Sequence, residues 1–431
     1  MRRNIGFVST RFAGIDGVSL EASKWAEALE RSGHRCFWFA GELEKKDACS
    51  WCVPRAHFQD PYNDWINRHI FGRDTIEPLV ARRIDVARAF LKRKVRQFID
   101  RFGIDLIIAE NALAIPMQVP LGLALSEVIA ETGIPTIAHH HDFYWERLRF
   151  LVNGVGEHIR SAFPPDLPNV RHVVLNTAAR EDLRQRKGLA STIIPNVLDF
   201  ETGFRQQAKP ITPFRKFIGL DPEDIFILQP TRIIERKGIE HSVRLVSALK
   251  DHRCKLVISH QAGDEGFEYV ERLKAFARRK NVPLIVPDLP ISDPFEHSCR
   301  RGGLFSLWDV YREADFVTFP SLYEGFGNAL LEAIFMRKPI LINRYATFVR
   351  DIEPNGFDLI TMDGEVTPRV IDDVKAVLAS KRRRRQMVEV NFRTARRHYG
   401  YDVLNERLNS LVASLFGSAP GPRRKANRSA P

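Results

Sequence analysis

The sequence lacks the features that mark secreted and membrane-spanning proteins. Its 431 residues contain five cysteines, and an odd number in so long a chain argues against a disulfide framework. The longest run without a charged residue, Asn111 to Ser126, contains two prolines and is too short to span a bilayer. The first apolar segment is interrupted by Arg11 and is too brief for the hydrophobic part of a signal peptide. We therefore expect a cytoplasmic protein.

Metal-binding cysteine patterns are also missing. Cys49 and Cys52 lie close together, with His57 nearby. A zinc site needs a second ligand pair at suitable spacing, and none is evident in the sequence. These cysteines therefore indicate neither a metal site nor a redox site.

Basic side chains are in excess. Lysine and arginine number 65 against 53 acidic residues, giving a net charge of +12, which favours an anionic partner without choosing one. Residues 82–101 hold eight basic and two acidic side chains, with apolar residues at helical spacing. This amphipathic helix either packs on the core or makes peripheral contact with an anionic membrane at its inner face. No recognisable module supports nucleic-acid binding.

Short apolar runs alternate with longer amphipathic ones, which is typical of parallel α/β architecture. Two halves each open with a strand, a loop, a helix and a strand. The first half begins at Ile5 to Ser9 and the second at Asp224 to Gln229. We predict two doubly wound, Rossmann-like domains facing each other across a cleft. Ligands of such sheets bind beyond the carboxyl ends of the strands.

The stretch from Phe319 to Ile334 is the strongest candidate for a site. A strand-like run ends at Phe319, a glycine-containing turn follows, and a helix-like run begins at Asn328. This order exposes backbone N–H groups at the helix start, where anions bind. Glu324 and Glu332 frame the turn. The alternative is that they are a helix cap and a solvated helix residue.

Two cations follow the predicted strand that ends at Gln229. Arg232 and Lys237 on one loop before a helix suit a diphosphate, although solvated loop charges are the alternative. Gly17 lies in the corresponding loop of the first half, where its backbone would approach the same phosphate.

Three histidines and an aspartate end a strand in the first half. Alternation along the backbone places His139 and His141 on one side and His140 on the other. Followed by aromatic residues and Arg147, they indicate a polar pocket for a hydroxyl-rich acceptor. Metal binding by His139, His141 and Asp142 is the alternative.

These motifs, taken in order, resemble the retaining glycosyltransferases of family 4, including the glycosyl transferases group 1 pattern and the GT-B fold. The resemblance covers most of residues 4–416. The motifs are the Gly17 loop, His141-Asp142, Pro195-Asn196, Arg232-x4-Lys237-Gly238 and Glu324-x7-Glu332. It implies retaining transfer of a hexose from a nucleotide-diphosphate sugar to a hydroxyl of a small sugar acid, a saccharide or a glycolipid.

The resemblance also implies roles for individual residues. Arg232, Lys237 and Gly17 would contact the donor diphosphate, and Glu332 its ribose. Glu324, with the backbone of Phe326 and Gly327, would hold the transferred sugar. His141 would lie beside the reacting sugar, so His141 and Glu324 are the predicted catalytic residues. The predicted acceptor contacts are Asn111, His139, Asp142 and Arg147.

The resemblance further implies the domain organisation. We predict an N-terminal acceptor-side domain over 1–198, a linker over 199–216 and a nucleotide-sugar-binding domain over 217–384. A C-terminal helix over 385–416 returns to the first domain, and a disordered basic tail covers 417–431.

Some segments depart from the family pattern. Asn343 to Thr347 replaces a glycine-rich segment, and the block from Asp288 to Leu307 is longer than typical. Residues Glu110 to Pro116 and His139 to Arg147 resemble a subset of mannosylglucosylglycerate synthase-like enzymes. That subset suggests GDP-mannose and a small anionic acceptor, beside a UDP-glucose-type donor as the other choice.

The sequence contains no two aspartates separated by a single residue, the metal-holding pair of other glycosyltransferases. We therefore predict no metal and no cofactor, with Arg232, Lys237 and a helix dipole stabilising the departing diphosphate. Glu324 is predicted to position the sugar and not to act as a covalent nucleophile. The alternatives are a nucleotide-sugar epimerase or glycosyl phosphorylase of the same architecture, a non-catalytic sensor, and a membrane-surface transferase.

Overall fold

A computed structural model of the protein describes residues 2–14, 17–45, 47–201, 213–260, 267–287, 291–292 and 305–416. Three predicted features fall wholly or partly outside them: linker residues 202–212, most of the long block over 288–307, and the tail over 417–431. Every helix in the described part is too short or too polar to cross a membrane.

The described residues form two compact units. One contains the chain up to Pro195 together with residues from Asp402, and the other runs from Asn196 to Tyr401. The predicted boundary at residue 198 lies slightly later than this division. The predicted single helix over 385–416 consists of two helices, because Gly400 adopts an extended conformation that interrupts the helical backbone.

The first unit is built on a parallel sheet of seven strands in the order β3-β2-β1-β4-β5-β6-β7. The strands are β1 Asn4–Val8, β2 Arg35–Ala40, β3 Ser50–Cys52, β4 Leu106–Glu110, β5 Thr136–His140, β6 Val170–Val174 and β7 Ser191–Ile193. The helices are α1 Gly17–Arg31, α2 Pro61–Ile70, α3 Pro78–Phe102, α4 Val119–Thr132, α5 Gly156–Ala162, α6 Thr177–Lys187 and α14 Tyr401–Leu415.

The second unit has a parallel sheet of six strands in the order β10-β9-β8-β13-β14-β15. The strands are β8 Ile225–Gln229, β9 Cys254–Ile258, β10 Leu284–Ile285, β13 Phe316–Phe319, β14 Ile340–Asn343 and β15 Ile360–Met362, while β11 Ile291–Ser292 pairs with β12 Phe305–Ser306. The helices are α7 Phe214–Phe217, α8 Ile239–Leu249, α9 Phe267–Arg279, α10 Leu307–Glu313, α11 Asn328–Phe335, α12 Pro368–Ala379 and α13 Lys381–Tyr399.

The predicted amphipathic basic helix is α3. Its apolar side chains at helical spacing, including Ile84, Leu91 and Phe98, are fully buried against the sheet and α4. Several of its cations pair with Glu127 and Glu131 of α4. Such exposed ion pairs contribute little to stability, because water and salt screen them. Core packing therefore accounts for the apolar face, and contact with a membrane stays a prediction.

Both sheets reverse their strand order at one point. The reversal lies between β1 and β4 in the first unit and between β8 and β13 in the second. Ligands of parallel sheets bind at such points, beyond the carboxyl ends of the strands. Glu110 ends β4, while Gln229 and Phe319 end β8 and β13, so the predicted site segments follow strands at these reversals.

Candidate active site

In the second unit, the loop after β8 packs against the turn after β13. Lys237, which is mostly buried, forms an ion pair with Oε1 of Glu324. Nη1 of Arg236 lies 3.2 Å from Oε2 of the same carboxylate. Arg232 is exposed on the same loop. The structure thus joins Lys237 and Glu324, which are distant in sequence, and engages both oxygens of the carboxylate.

Burial changes the pKa values of two basic side chains at this site. Burial lowers the pKa of Lys237 against the opposing effect of Glu324, and Arg236 and Arg232 lower it further. His260 follows β9 and faces the same cations. Burial, with the charges of Arg232 and Lys237, lowers the pKa of His260 to about 4, so the imidazole is neutral at pH 7.

The turn after β13 is held by side chains from residues 343–347. Oη of Tyr345 donates to the carbonyl oxygen of Phe326 at 2.7 Å, and Oγ1 of Thr347 donates to that of Glu324 at 3.0 Å. Gly327 has φ +104°, a conformation that residues with a Cβ rarely adopt. A Cβ at this position would lie 2.4 Å from Oη of Tyr345. The turn therefore requires glycine here.

Glu332 lies about one turn into α11, in a different environment from Glu324. Oη of Tyr311, a fully buried residue of α10, donates to Oε2 of Glu332 at 3.0 Å. Burial, together with the Glu332 carboxylate, raises the pKa of Tyr311 well above its usual value. A neutral phenol therefore orients the carboxylate at every physiological pH.

In the first unit, Glu110 connects two of the predicted histidines. Its carboxylate is fully buried, and Oε2 lies 3.0 Å from both Nδ1 of His139 and Nε2 of His141. The ring of His139 stacks on Trp25 with centroids 4.0 Å apart. His140 points to the other side, as the alternation predicts, and its Nε2 lies 2.9 Å from Nδ1 of His172.

These contacts set the charges of the cluster. Burial favours the protonated form of Glu110, but the charges and hydrogen bonds of the two histidines outweigh it and lower its pKa to about 2. Burial likewise opposes protonation of His141, yet Glu110 outweighs it and raises the pKa of His141. Burial lowers the pKa of His139. The Glu110 carboxylate therefore favours protonation of His141, whereas burial disfavours protonation of His139.

Asn111 follows β4 with φ +58°, a strained conformation for a residue other than glycine. Its Oδ1 accepts from the backbone N–H of His141 at 2.9 Å, and its Nδ2 donates to Oδ1 of Asp142 at 2.9 Å. Arg147 donates through Nε to Oδ2 of Asp142 at 2.7 Å. The predicted acceptor residues thus form one network with His141.

The residues that could hold a metal in the structure differ from those predicted from the sequence. Glu110, His139 and His141 have ligand atoms within 4.8 Å of one another, and this donor set is one that zinc or iron would accept. Asp142 pairs with Asn111 and Arg147 instead. The hydrogen bonds described above engage all three groups but leave Nε2 of His139 without a partner among the described residues, and the prediction of no metal stays a prediction.

Gly17 occupies the first position of α1 and is exposed, with no heavy atom near the position of an added Cβ. The preceding residue, Asp16, lies outside the described residues. Anions bind at helix N-termini, and contact between Gly17 and the donor diphosphate stays a prediction.

Comparisons with known proteins agree with this geometry. Residues 15–202 match the family model Glycosyltransferase Family 4, and residues 291–380 match Glycosyl transferases group 1. The chain is 31% identical to the mannosylglucosylglycerate synthase of Thermotoga maritima over 95% of its own length and 99% of that protein. The chain belongs to the glycosyltransferases.

Solved structures define the fold of this glycosyltransferase. Sucrose-phosphate synthase from Thermosynechococcus elongatus superposes with a TM-score of 0.69 at 13% identity, over 97% of this chain and 100% of that one. HepE from Anabaena, solved with UDP and glucose, gives 0.62 at 14% identity, over 96% and 99%. These neighbours are GT-B glycosyltransferases, so the predicted fold class is confirmed.

Four residues that take part in these clusters of the transferase have no predicted role in the sequence analysis. Arg236 is adjacent to Lys237, and only the fold shows that it reaches Glu324. Glu110 ends a buried strand, where a carboxylate is unusual, and that was the available signal. His260 and Tyr311 carried no motif.

Proposed function

We propose that this glycosyltransferase is a retaining, metal-independent hexosyltransferase. In this proposal it moves a hexose from a GDP-mannose- or UDP-glucose-type donor to a hydroxyl of a small sugar acid. The observation that carries the proposal is the pairing of buried Lys237 and of Arg236 with Glu324, beside exposed Arg232. Cations before the N-terminus of α8 supply the charge that a departing diphosphate needs in the absence of a metal.

The substrate classes rest on the comparisons. The name of the Thermotoga maritima relative describes a product that joins mannose, glucose and glycerate. A glycerate carboxylate is an anion, and the first unit offers the guanidinium of Arg147 to such a group. The HepE structure, which contains UDP and glucose, supports the UDP-glucose-type donor as the second choice.

The engagement of Glu324 favours a same-face mechanism. A carboxylate that is paired through both oxygens is a weak nucleophile, because attack would break both ion pairs. Glu324 and the Phe326–Gly327 backbone position the sugar in this mechanism, and the departing phosphate helps to deprotonate the acceptor hydroxyl. His141 donates a hydrogen bond to a hydroxyl of the reacting sugar.

Ribose binding is assigned to Glu332. A ribose diol presents two hydroxyl donors, and a carboxylate accepts both. The hydrogen bond from Oη of Tyr311 to Oε2 fixes the orientation of the Glu332 carboxylate.

The decisive experiment is a thermal-shift screen with UDP, GDP and ADP sugars, followed by transfer to glucosylglycerate. A donor that binds the folded protein raises its melting temperature by mass action. We expect a product with the anomeric configuration of the donor by NMR and unchanged turnover in EDTA. An inverted product, or activity lost in EDTA and restored by a divalent ion, contradicts the proposal. A glycosyl adduct trapped on Glu324 would refute the same-face mechanism.

The residue assignments are tested by two substitutions. Glu332→Ala is expected to weaken donor binding, and His141→Ala to lower chiefly kcat. Equal loss of both parameters in each variant would contradict the assigned roles.

The epimerase and phosphorylase alternatives give different products. An epimerase converts the donor without an acceptor, and a phosphorylase requires inorganic phosphate. Incubation of the donor alone, and then with phosphate, distinguishes these enzymes from a transferase.

A further inference from the structure

Residues 343–347 begin at the last residue of β14 and contact the turn after β13 at three points. Nδ2 of Asn343 donates to the carbonyl oxygen of Ser321 at 3.0 Å, and Tyr345 and Thr347 bind those of Phe326 and Glu324. All three donor residues are buried. One short segment thus binds carbonyl groups along the whole turn.

These hydrogen bonds fix more than the carbonyl groups. A peptide unit is planar and trans, so its C=O and the following N–H point in opposite directions. Thr347 therefore sets the direction of the Gly325 N–H, and Tyr345 sets that of the Gly327 N–H. These are two of the backbone donors in the turn that carries Glu324.

The segment is itself rigidly placed. The ring of Tyr345 packs edge-on against Phe319, with centroids 6.1 Å apart, and lies 5.9 Å from the ring of Phe348. The phenol is almost completely buried, and burial raises its pKa well above the usual value, so it stays a hydrogen-bond donor. Glycine is absent from residues 343–347, whereas the turn itself contains two glycines. The less flexible segment therefore constrains the more flexible one.

We propose that Tyr345 and Thr347 are positioning residues that hold the Glu324–Gly327 turn in the form that binds the sugar of the donor. This inference rests on the proposed function, because it concerns the turn that is proposed to hold the donor sugar. Both residues act through the backbone of residues 324–327 and neither is a catalytic residue. Their loss is expected to change donor affinity more than the affinity for the acceptor.

The test uses paired substitutions in the full chain. Thr347→Val keeps the volume of the side chain and removes its donor, whereas Thr347→Ser keeps the hydroxyl. Tyr345→Phe removes one hydroxyl, and Tyr269→Phe is the matched control because its hydroxyl binds Glu240, on a helix outside the turn. The probes are UDP-glucose and GDP-mannose, with Kd measured by calorimetry, and the exchange of backbone amides over residues 320–330 is followed by mass spectrometry.

We expect Thr347→Val and Tyr345→Phe to raise the donor Kd about fivefold, the effect of losing one hydrogen bond. The amides of the turn should exchange faster in both variants, while Thr347→Ser and Tyr269→Phe match the wild type. If the wild type binds and Thr347→Val keeps both its Kd and its exchange rates, only this proposal is overturned. If the wild type binds neither probe and transfers no sugar, the proposed function fails and this assignment falls with it.

Discussion

Replacing Glu110 with glutamine removes a negative charge from a fully buried position while keeping the size of the side chain. In the native cluster this carboxylate accepts hydrogen bonds from both His139 and His141. The amide of glutamine has one acceptor oxygen and no charge, so it removes the largest of the negative charges that act on His141. The variant therefore tests whether the cluster is an ion pair.

The size of the effect follows from the titration of the carboxylate. A pKa held at about 2 in place of the usual 4.5 corresponds to about 3 kcal/mol of folding free energy at neutral pH. We expect Glu110→Gln to lower the free energy of unfolding of the first unit by about this amount.

The sign of the pH dependence is set by two groups. The pKa of Glu110 is lowered, so its contribution is present above pH 4.5 and is lost as the pH falls toward 2. The pKa of His141 is raised above 6.5, so its contribution is complete below pH 6.5 and is lost as the pH rises through its folded-state pKa. The difference between wild type and variant should therefore be largest between pH 4.5 and 6.5.

Urea unfolding followed by tryptophan fluorescence provides the assay. Five of the six tryptophans lie between residues 25 and 145, so the signal reports mainly on the first unit. Glu127→Gln is the control, because that carboxylate is about one-third exposed and its loss should cost about 1 kcal/mol or less. A difference for Glu110→Gln that stays constant from about pH 3 to about pH 8 would show that no ion pair exists.

Three further outcomes are expected. Gly327→Ala should abolish donor binding in calorimetry, because the new Cβ would lie 2.4 Å from Oη of Tyr345 at φ +104°; normal binding would mean that the turn adapts. Tyr311→Phe should raise the KM for the donor about fivefold with kcat nearly unchanged, and a fall in kcat alone would contradict the role given to Glu332. Reversing the charges of residues 82–101 should leave liposome flotation unchanged if α3 only packs on the core, whereas a loss of binding would establish membrane contact.

Much of the fold could be predicted because the hydrophobic periodicity and the positions of turn residues agree along the chain. The strand predicted at Ile5 to Ser9 is Asn4–Val8, and the strand predicted at Asp224 to Gln229 is Ile225–Gln229. The short edge strands β3 and β7 were not predicted, because three residues are too few to show the alternation of a strand. The break between two helices at Gly400 was not predicted, because the residues on both sides of it favour helix.

The candidate site was predictable where chemistry is local in sequence. Lys237 and Glu324 stood out by their motifs, but their ion pair depends on the packing of loops that are 87 residues apart. Glu110 was noticed only as part of a resemblance, since a strand-end carboxylate gives no sign of its partners. The contacts of Tyr345 and Thr347 were unforeseen because side chain-to-carbonyl bonds have no sequence signature.

The division of the chain into units has a consequence for how the protein is made. The second unit is one uninterrupted stretch, whereas the first needs residues from Asp402 onward. Those residues contact the earliest part of the chain, where the guanidinium of Arg3 lies 4.0 Å from the ring centroid of Phe416. Residues 196–401 leave the ribosome before this helix does, so the second unit can begin to fold while the first unit is still incomplete. The first unit cannot be completed until α14 emerges and covers its surface.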